Sequence, residues 1–211
     1  MTRSPIGGAR IGMTLIELIV ALTITGLALG SGYSAYATLA DRRIIADRRV
    51  DVVARAAALR STLSAWLAGA HLTVEQDDIV FRSVGGTRRS PTGQVADNDL
   101  TFFTSASTPV GNHGTIVRLF VDHDSIGEGG LIAELSEWRG HRRARIQLDS
   151  VVAGLDVALV SGVLGTRSWL PSWVSSTILP AGARMTLSAR PGDSLAPLLR
   201  LPITVSLENG R

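Results

Sequence analysis

The stretch Gly12-Met13-Thr14-Leu15-Ile16-Glu17-Leu18 opens the segment that decides the fold. It begins an apolar run in which Glu17 is the only charged side chain before Asp41. Residues 13–33 are mainly apolar, and at about 1.5 Å of rise per residue a helix of that length reaches about 30 Å, which is enough to cross a bilayer. A carboxylate inside such a segment is costly, so its position indicates a functional role.

The residues on either side of this segment fit two interpretations, a cleaved signal peptide or a retained membrane helix. Residues 1–12 are short, polar and basic, with Arg3 and Arg10, as at the start of a secretory signal. A cleaved signal would use the small residues at 34–38 as its cleavage site. We favour a retained membrane helix because the apolar run is longer than the core of a usual signal peptide.

Composition limits the remaining possibilities. The chain has 211 residues, 45% of them hydrophobic, which suits one modest domain plus an anchor. There is no cysteine, so neither a disulfide nor a thiol nucleophile exists. All 21 basic residues are arginine, but the net charge is only +3. The arginines alternate with acids, and no basic stripe carries interleaved aromatics, so no nucleic-acid partner is predicted.

A single long helix is predicted over 13–70, with the membrane-spanning part at about 13–33. Beyond it, apolar residues recur every seven positions, which predicts an amphipathic helix packed on the chain's own sheet and Trp66 in the core. The positions are Ile45, Val52, Leu59 and Trp66, with Ala56 and Leu63 on the same face. Two pairs four residues apart, Arg43 with Asp47 and Asp51 with Arg55, predict ion pairs on the wet face.

Residues 71–211 are predicted to form a β-rich head. Short β-prone segments alternate there with Gly, Asn, Asp and Pro, and the segments 85–98 and 165–180 are predicted to be long loops. The fold class is therefore α+β: a long amino-terminal helix packed on an antiparallel sheet. The predicted strands are 79–84, 100–105, 115–122, 131–138, 145–148, 155–160, 184–189 and 199–207.

Other candidate sites have weaker support. Asp122-His123-Asp124 and Asp97-Asn98-Asp99 contain possible metal ligands, but neither has the spacing of a known site, and both fit ordinary turns. No Gly-x-Ser-x-Gly motif or phosphate-binding loop is present. The sequence therefore predicts no enzyme, no metal and no cofactor.

The run from Gly12 to Glu17 resembles the class III leader of type IV pilins and type II secretion pseudopilins. This resemblance implies that a prepilin peptidase cleaves between Gly12 and Met13 on the cytoplasmic side and methylates the new amino terminus at Met13. Glu17 becomes the fifth residue of the mature chain. The family usually has Phe where this chain has Met13. The resemblance also implies a pilin-like fold.

Glu17 has two explanations. The resemblance implies that it pairs with the methylated terminus of a neighbouring subunit during assembly. The run Thr14-Leu15-Ile16-Glu17 also reads as a capping box, in which the carboxylate accepts a hydrogen bond from a free amide at the helix start. Both interactions can hold in different states.

The carboxyl-terminal half is similar to minor pseudopilins of the J type. The resemblance rests on 131–139 with Trp138 at the end of a strand, Gly154-Leu155-Asp156, Trp169-Leu-Pro-Ser-Trp173, Leu179-Pro180 and 199–202. Where the subfamily often has Arg after the Leu-Pro pair, this chain has Ala181. Each Trp also suits a core anchor, the interpretation we favour for Trp138.

The J-type resemblance implies a structural subunit of the pseudopilus tip complex in a type II secretion system. Its expected partners are the I-type and K-type minor pseudopilins, the major pseudopilin, the prepilin peptidase/methyltransferase and the inner membrane. A minor pilin of a type IV pilus or DNA-uptake system, or a single-pass anchored periplasmic binding module, remains an alternative. The head is expected in the periplasm, although the arginines after the helix, at 42, 43, 48 and 49, oppose that orientation by the positive-inside rule.

Overall fold

The computed structural model describes residues 14–72, 81–90, 93–111, 114–123, 129–161 and 168–207. The chain divides into two compact units, residues 1–50 and 51–211. The predicted α+β class is confirmed: a long amino-terminal helix precedes antiparallel β-sheets. The helices and strands are α1 (Leu15–Ala68), β1 (Phe81–Val84), β2 (Thr87–Ser90), β3 (Gly93–Ala96), β4 (Asp99–Thr104), β5 (Thr115–Asp122), β6 (Gly130–Glu137), β7 (Arg143–Asp149), β8 (Val152–Val160), β9 (Trp169–Leu170), β10 (Trp173–Ser175), β11 (Gly182–Ala189), α2 (Ala196–Leu199) and β12 (Ile203–Ser206).

The second unit contains three antiparallel sheets. A six-stranded sheet has the order β10-β1-β4-β5-β6-β7, a four-stranded sheet the order β12-β11-β8-β9, and β2 pairs with β3. Asn98 links the first two sheets, because its backbone N–H donates to the Leu155 carbonyl and its Nδ2 to the Val157 carbonyl, at 3.0 and 3.1 Å. One hydrophobic core contains side chains from both sheets and from α1.

The end of α1 packs as the sevenfold spacing predicts from Val52 onward, whereas the prediction is wrong for Ile45, which is 51% exposed. Ala56, Leu59, Leu63, Trp66 and Leu67 are buried in the core. The indole Nε1 of Trp66 donates to the Ser107 carbonyl at 3.2 Å, so the buried ring also has its polar atom satisfied. The prediction that Trp66 is a core residue is therefore confirmed.

The predicted ion pairs of α1 are confirmed in one case and wrong in the other. Arg43 lies 4.0 Å from Asp47. Arg55 does not pair with Asp51 but donates from Nε to Oδ2 of Asp149, at 2.8 Å. The Asp149 side chain is only 1% exposed, and its Oδ1 accepts from the Val151 amide. The buried carboxylate of Asp149 offers a stronger interaction than the exposed carboxylate of Asp51 on α1, which explains why Arg55 turns towards the sheet.

Both predicted long loops contain strands. Segment 85–98 contains the β2–β3 hairpin, and segment 165–180 contains β9 and β10, each at the edge of a different sheet. The predicted strand 199–207 is also shorter than expected, because α2 ends at Leu199 and β12 begins at Ile203. These strands contain only two to four residues, and the segments around them contain Gly, Ser and Pro, so their pairing depends on neighbouring strands rather than on local preference.

Candidate functional site: the start of the long helix

The first described residues form the capping box that the sequence predicts. The Thr14 amide and hydroxyl both donate to Oε2 of Glu17, at 2.9 and 3.0 Å, and the Glu17 amide donates to the Thr14 hydroxyl at 3.3 Å. The first intrahelical bond follows, from the Leu18 amide to the Thr14 carbonyl. These bonds satisfy amides that lack partners at a helix start, so Thr14 and Glu17 together fix where α1 begins.

The predicted cleavage and methylation residues, Gly12 and Met13, lie outside the described residues, as do Arg3 and Arg10. Glu17 lies on the first turn of α1. The structure thus shows the capping function of Glu17 in one chain. Its pairing with a neighbouring subunit remains a prediction.

The first half of α1 has the surface of a membrane helix. Among the described residues, α1 is the one helix long and apolar enough to cross a membrane by length and composition, and its most apolar window is 0% buried. Leu15 and Leu27 are 76% and 70% exposed. Apolar side chains on all sides are typical of a helix surrounded by lipid, so this segment fits a single-pass membrane anchor.

Hydroxyl groups along this segment are satisfied within the helix. Thr23 and Thr25 donate to the carbonyls four residues earlier, at 2.8 Å each. Ser31, Ser34 and Thr38 likewise donate to carbonyls three or four residues earlier. Because a bilayer interior offers no water, such internal bonds remove the cost of placing Ser and Thr there.

The other sequence candidates do not form a metal centre within the described part of the chain. Asp97 and His123, which the sequence places in separate turns, meet at 3.2 Å between Oδ1 and Nε2. No group of three or more possible ligands occurs among the described residues, and Asp124 lies outside them. The pair joins the turn before β4 to the end of β5.

The prediction that Trp138 is a core anchor is wrong, because Trp138 lies just beyond β6 and is only half-buried. Its ring meets Phe103 edge to face, with centroids 5.7 Å apart, and Phe103 meets His71 in the same way at 4.7 Å.

The structure also brings together a basic hairpin tip that the sequence interpretation did not single out. Its signal is the run Arg139-Gly-His-Arg-Arg143, between β6 and β7.

Comparison with known proteins identifies the amino-terminal motif. Residues 9–33 match the family described as prokaryotic N-terminal methylation motif. No curated protein matches the chain. The matched residues include Gly12, Met13 and Glu17. Together with the long apolar helix and the antiparallel sheets, this motif supports a type IV pilin-like protein and favours a structural rather than an enzymatic role.

Proposed function

We propose that the chain is a minor pseudopilin of a type II protein secretion system, a structural subunit of the tip complex that initiates the pseudopilus. The observation that carries the proposal is the methylation motif at the start of an apolar helix whose only charge before Asp41 is Glu17. A catalytic or transport role for Glu17 has no support, because no other charged side chain within that helical segment could act with it. A role in processing and assembly accounts for a carboxylate at this position of the helix.

Processing supplies the first test. The protein extracted from the bacterial membrane should begin at Met13 and carry one added methyl group, as measured by intact mass and amino-terminal sequencing. Gly12→Val, with a bulkier residue at the cleavage position, should leave the leader in place. A wild-type chain that still starts at Met1 would contradict every filament role.

The assembly role of Glu17 can be separated from its capping role. Glu17→Gln keeps an oxygen that accepts the Thr14 hydrogen bonds but removes the charge, whereas Thr14→Ala keeps the charge and removes one donor of the capping box. If an ion pair between subunits drives assembly, Glu17→Gln is cleaved normally but fails to enter filaments, while Thr14→Ala still enters them. Sheared-filament immunoblots measure both. Normal assembly of Glu17→Gln would leave capping as the only role.

The J-type assignment rests on the resemblance of the head. Trp138 lies just beyond β6, and Trp169 and Trp173 open the edge strands β9 and β10. The proposed partners are the I-type and K-type minor pseudopilins and the major pseudopilin. Co-purification of the full-length chain with the I-type and K-type subunits of the same bacterium tests this assignment. Recovery with type IV pilus minor pilins instead would favour the pilus or DNA-uptake alternative, and recovery alone would favour an anchored binding module.

The proposal places the head in the periplasm and the leader in the cytoplasm. A C-terminal alkaline phosphatase fusion should be active, since that enzyme requires an oxidising periplasm. A cytoplasmic reporter at the same position should be inactive. The opposite pattern would follow the arginines at 42, 43, 48 and 49 and overturn the orientation.

A further inference from the structure

The strand β7 forms one edge of the six-stranded sheet. It pairs with β6 on one side, and no strand pairs with its other side within the part of the chain that the structure describes. Such an edge presents backbone N–H and C=O groups that can pair with another extended chain.

The two faces of β7 differ in chemistry. Arg143, Arg145 and Gln147 point to solvent on one face. Ala144 and Ile146 alternate with them and lie half-buried against the hydrophobic core. An incoming strand would therefore meet cations on one face and an incompletely covered apolar row on the other, since successive side chains of a strand alternate between faces.

The hairpin that leads into β7 adds further exposed basic side chains. Arg139, His141, Arg142 and Arg143 are all exposed, and Glu137 is the one acid between Ser136 and Asp149 in this part of the sequence. Neither Arg142 nor Arg143 contacts an acidic side chain among the described residues. This end of the sheet thus presents at least two exposed arginines, Arg142 and Arg143, without an acidic partner among the described residues.

Other arginines of the same sheet have acidic partners. Arg118 on β5 donates to Asp99 at 2.6 Å and to Glu134 at 3.1 Å. The hydrogen bond with Asp99 raises the pKa of Arg118 above its usual value. On β7 itself, Arg145 pairs with Asp122. Arg142 and Arg143 differ from these arginines, since neither contacts an acidic side chain among the described residues.

Charged residues on an edge strand ordinarily prevent aggregation. That purpose does not account for an apolar row left half-covered beside Arg142 and Arg143. We propose that β7 and the hairpin at 137–143, named here the basic edge, form a docking site for an extended acidic segment of a partner protein. The segment adds a seventh strand, with acidic side chains over Arg143 and apolar side chains over Ala144 and Ile146. This inference concerns the head surface and goes beyond the proposed place in a filament.

Peptide binding to the full-length chain, held in zwitterionic nanodiscs, tests the proposal. The probe is a fluorescein-labelled peptide of about eight residues with alternating Glu and Val, followed by fluorescence anisotropy. A peptide with Lys in place of Glu controls for charge. Two further peptides are N-methylated on one or the other alternate set of amides. We expect the Glu peptide to bind, the Lys peptide not to bind, and one N-methylated peptide to bind at least about tenfold more weakly, because one set of amides must pair with β7.

Arg143→Glu has a matched control in Arg82→Glu. Both residues are exposed arginines of the same sheet, but Arg82 lies on β1, which is paired on both sides. We expect Arg143→Glu to weaken binding of the Glu peptide by about tenfold and Arg82→Glu by less than about twofold. If Arg143→Glu shifts the unfolding midpoint, Arg143→Gln replaces it, with a smaller loss expected in the same direction.

Three outcomes would overturn the proposal. Equal losses in the two Glu variants would mean that binding depends on overall charge rather than on the edge. Unchanged binding of both N-methylated peptides would exclude strand addition. Tighter binding of single-stranded DNA or of phosphatidylglycerol vesicles, abolished by Arg143→Glu, would assign the basic edge to a nucleic acid or a lipid surface instead.

Discussion

The two halves of α1 use similar residues for opposite purposes. In the first half, leucines such as Leu15 and Leu27 are 76% and 70% exposed, and apolar side chains lie on every side. In the last turns, Leu63 and Leu67 are 0% exposed, and the remaining faces carry small or polar residues. The exposed apolar surface of the first half fits a lipid environment, whereas the last turns contribute theirs to the folding of the head. Composition alone therefore does not distinguish a helix that fits a lipid environment from one that packs in a protein core. The spacing of the apolar residues around the helix does.

Truncating one leucine in each half should give the largest difference. Leu63→Ala leaves a cavity in the core and should lower the free energy of unfolding of the head by roughly 2–5 kcal/mol. Leu22→Ala, at an exposed position of the first half, should leave it unchanged within about 0.5 kcal/mol. All four tryptophans lie between residues 66 and 173, so urea unfolding of the detergent-solubilised chain by tryptophan fluorescence reports on the head. Equal effects would contradict the division between the two halves.

The ion pairs of α1 provide a second comparison. Asp149→Asn weakens the bond to Arg55 inside the head and should cost roughly 1–3 kcal/mol, because the carboxylate is buried and also accepts from a backbone amide. Asp47→Asn removes the exposed pair with Arg43, whose side chains are 85% and 71% exposed, and should cost less than about 0.5 kcal/mol. The same fluorescence measurement checks both variants. A cost for Asp47→Asn as large as that for Asp149→Asn would show that exposure does not decide the strength of these pairs.

Glycines give a third contrast, no larger than that expected for the core leucine. A Cβ at Gly69, just past α1, would lie 2.7 Å from the Thr104 hydroxyl and 2.9 Å from the Ala106 amide, so Gly69→Ala should cost roughly 1–3 kcal/mol. A Cβ at Gly30 meets nothing within 4 Å, so Gly30→Ala should not destabilise the head. Thermal unfolding of the two variants in the same detergent measures the difference. No destabilisation by Gly69→Ala would mean that the junction between helix and sheet can shift to accept a methyl group.

Local patterns predicted the parts of this structure that depend on neighbouring residues. The capping box follows from Thr14 and Glu17 alone, because the partner groups are three residues apart. The sequence predicts strand β5 with the bounds that the structure shows, Thr115–Asp122, because a β-prone run is bounded there by Gly and Asp. The core positions of the last turns of α1 also follow from their spacing.

Long-range interactions account for what the sequence interpretation missed. Arg55 has a suitable acid four residues before it but bonds to Asp149, which is 94 residues away. Strands β9 and β10 contain two and three residues, and each exists because a longer strand, β8 or β1, provides its hydrogen bonds. Asp97 and His123 meet only because the sheet brings two turns together.

The sequence by itself therefore determined the apolar helix, its cap, the methylation motif and the α+β class, because each depends on the order of nearby residues. Only the tertiary structure decided which strands lie at the sheet edges, which carboxylate Arg55 binds and that Arg142 and Arg143 have no acidic partner among the described residues. Those features depend on strand pairing and on burial between distant segments, and the free energy of such contacts is set by the whole fold rather than by any local pattern.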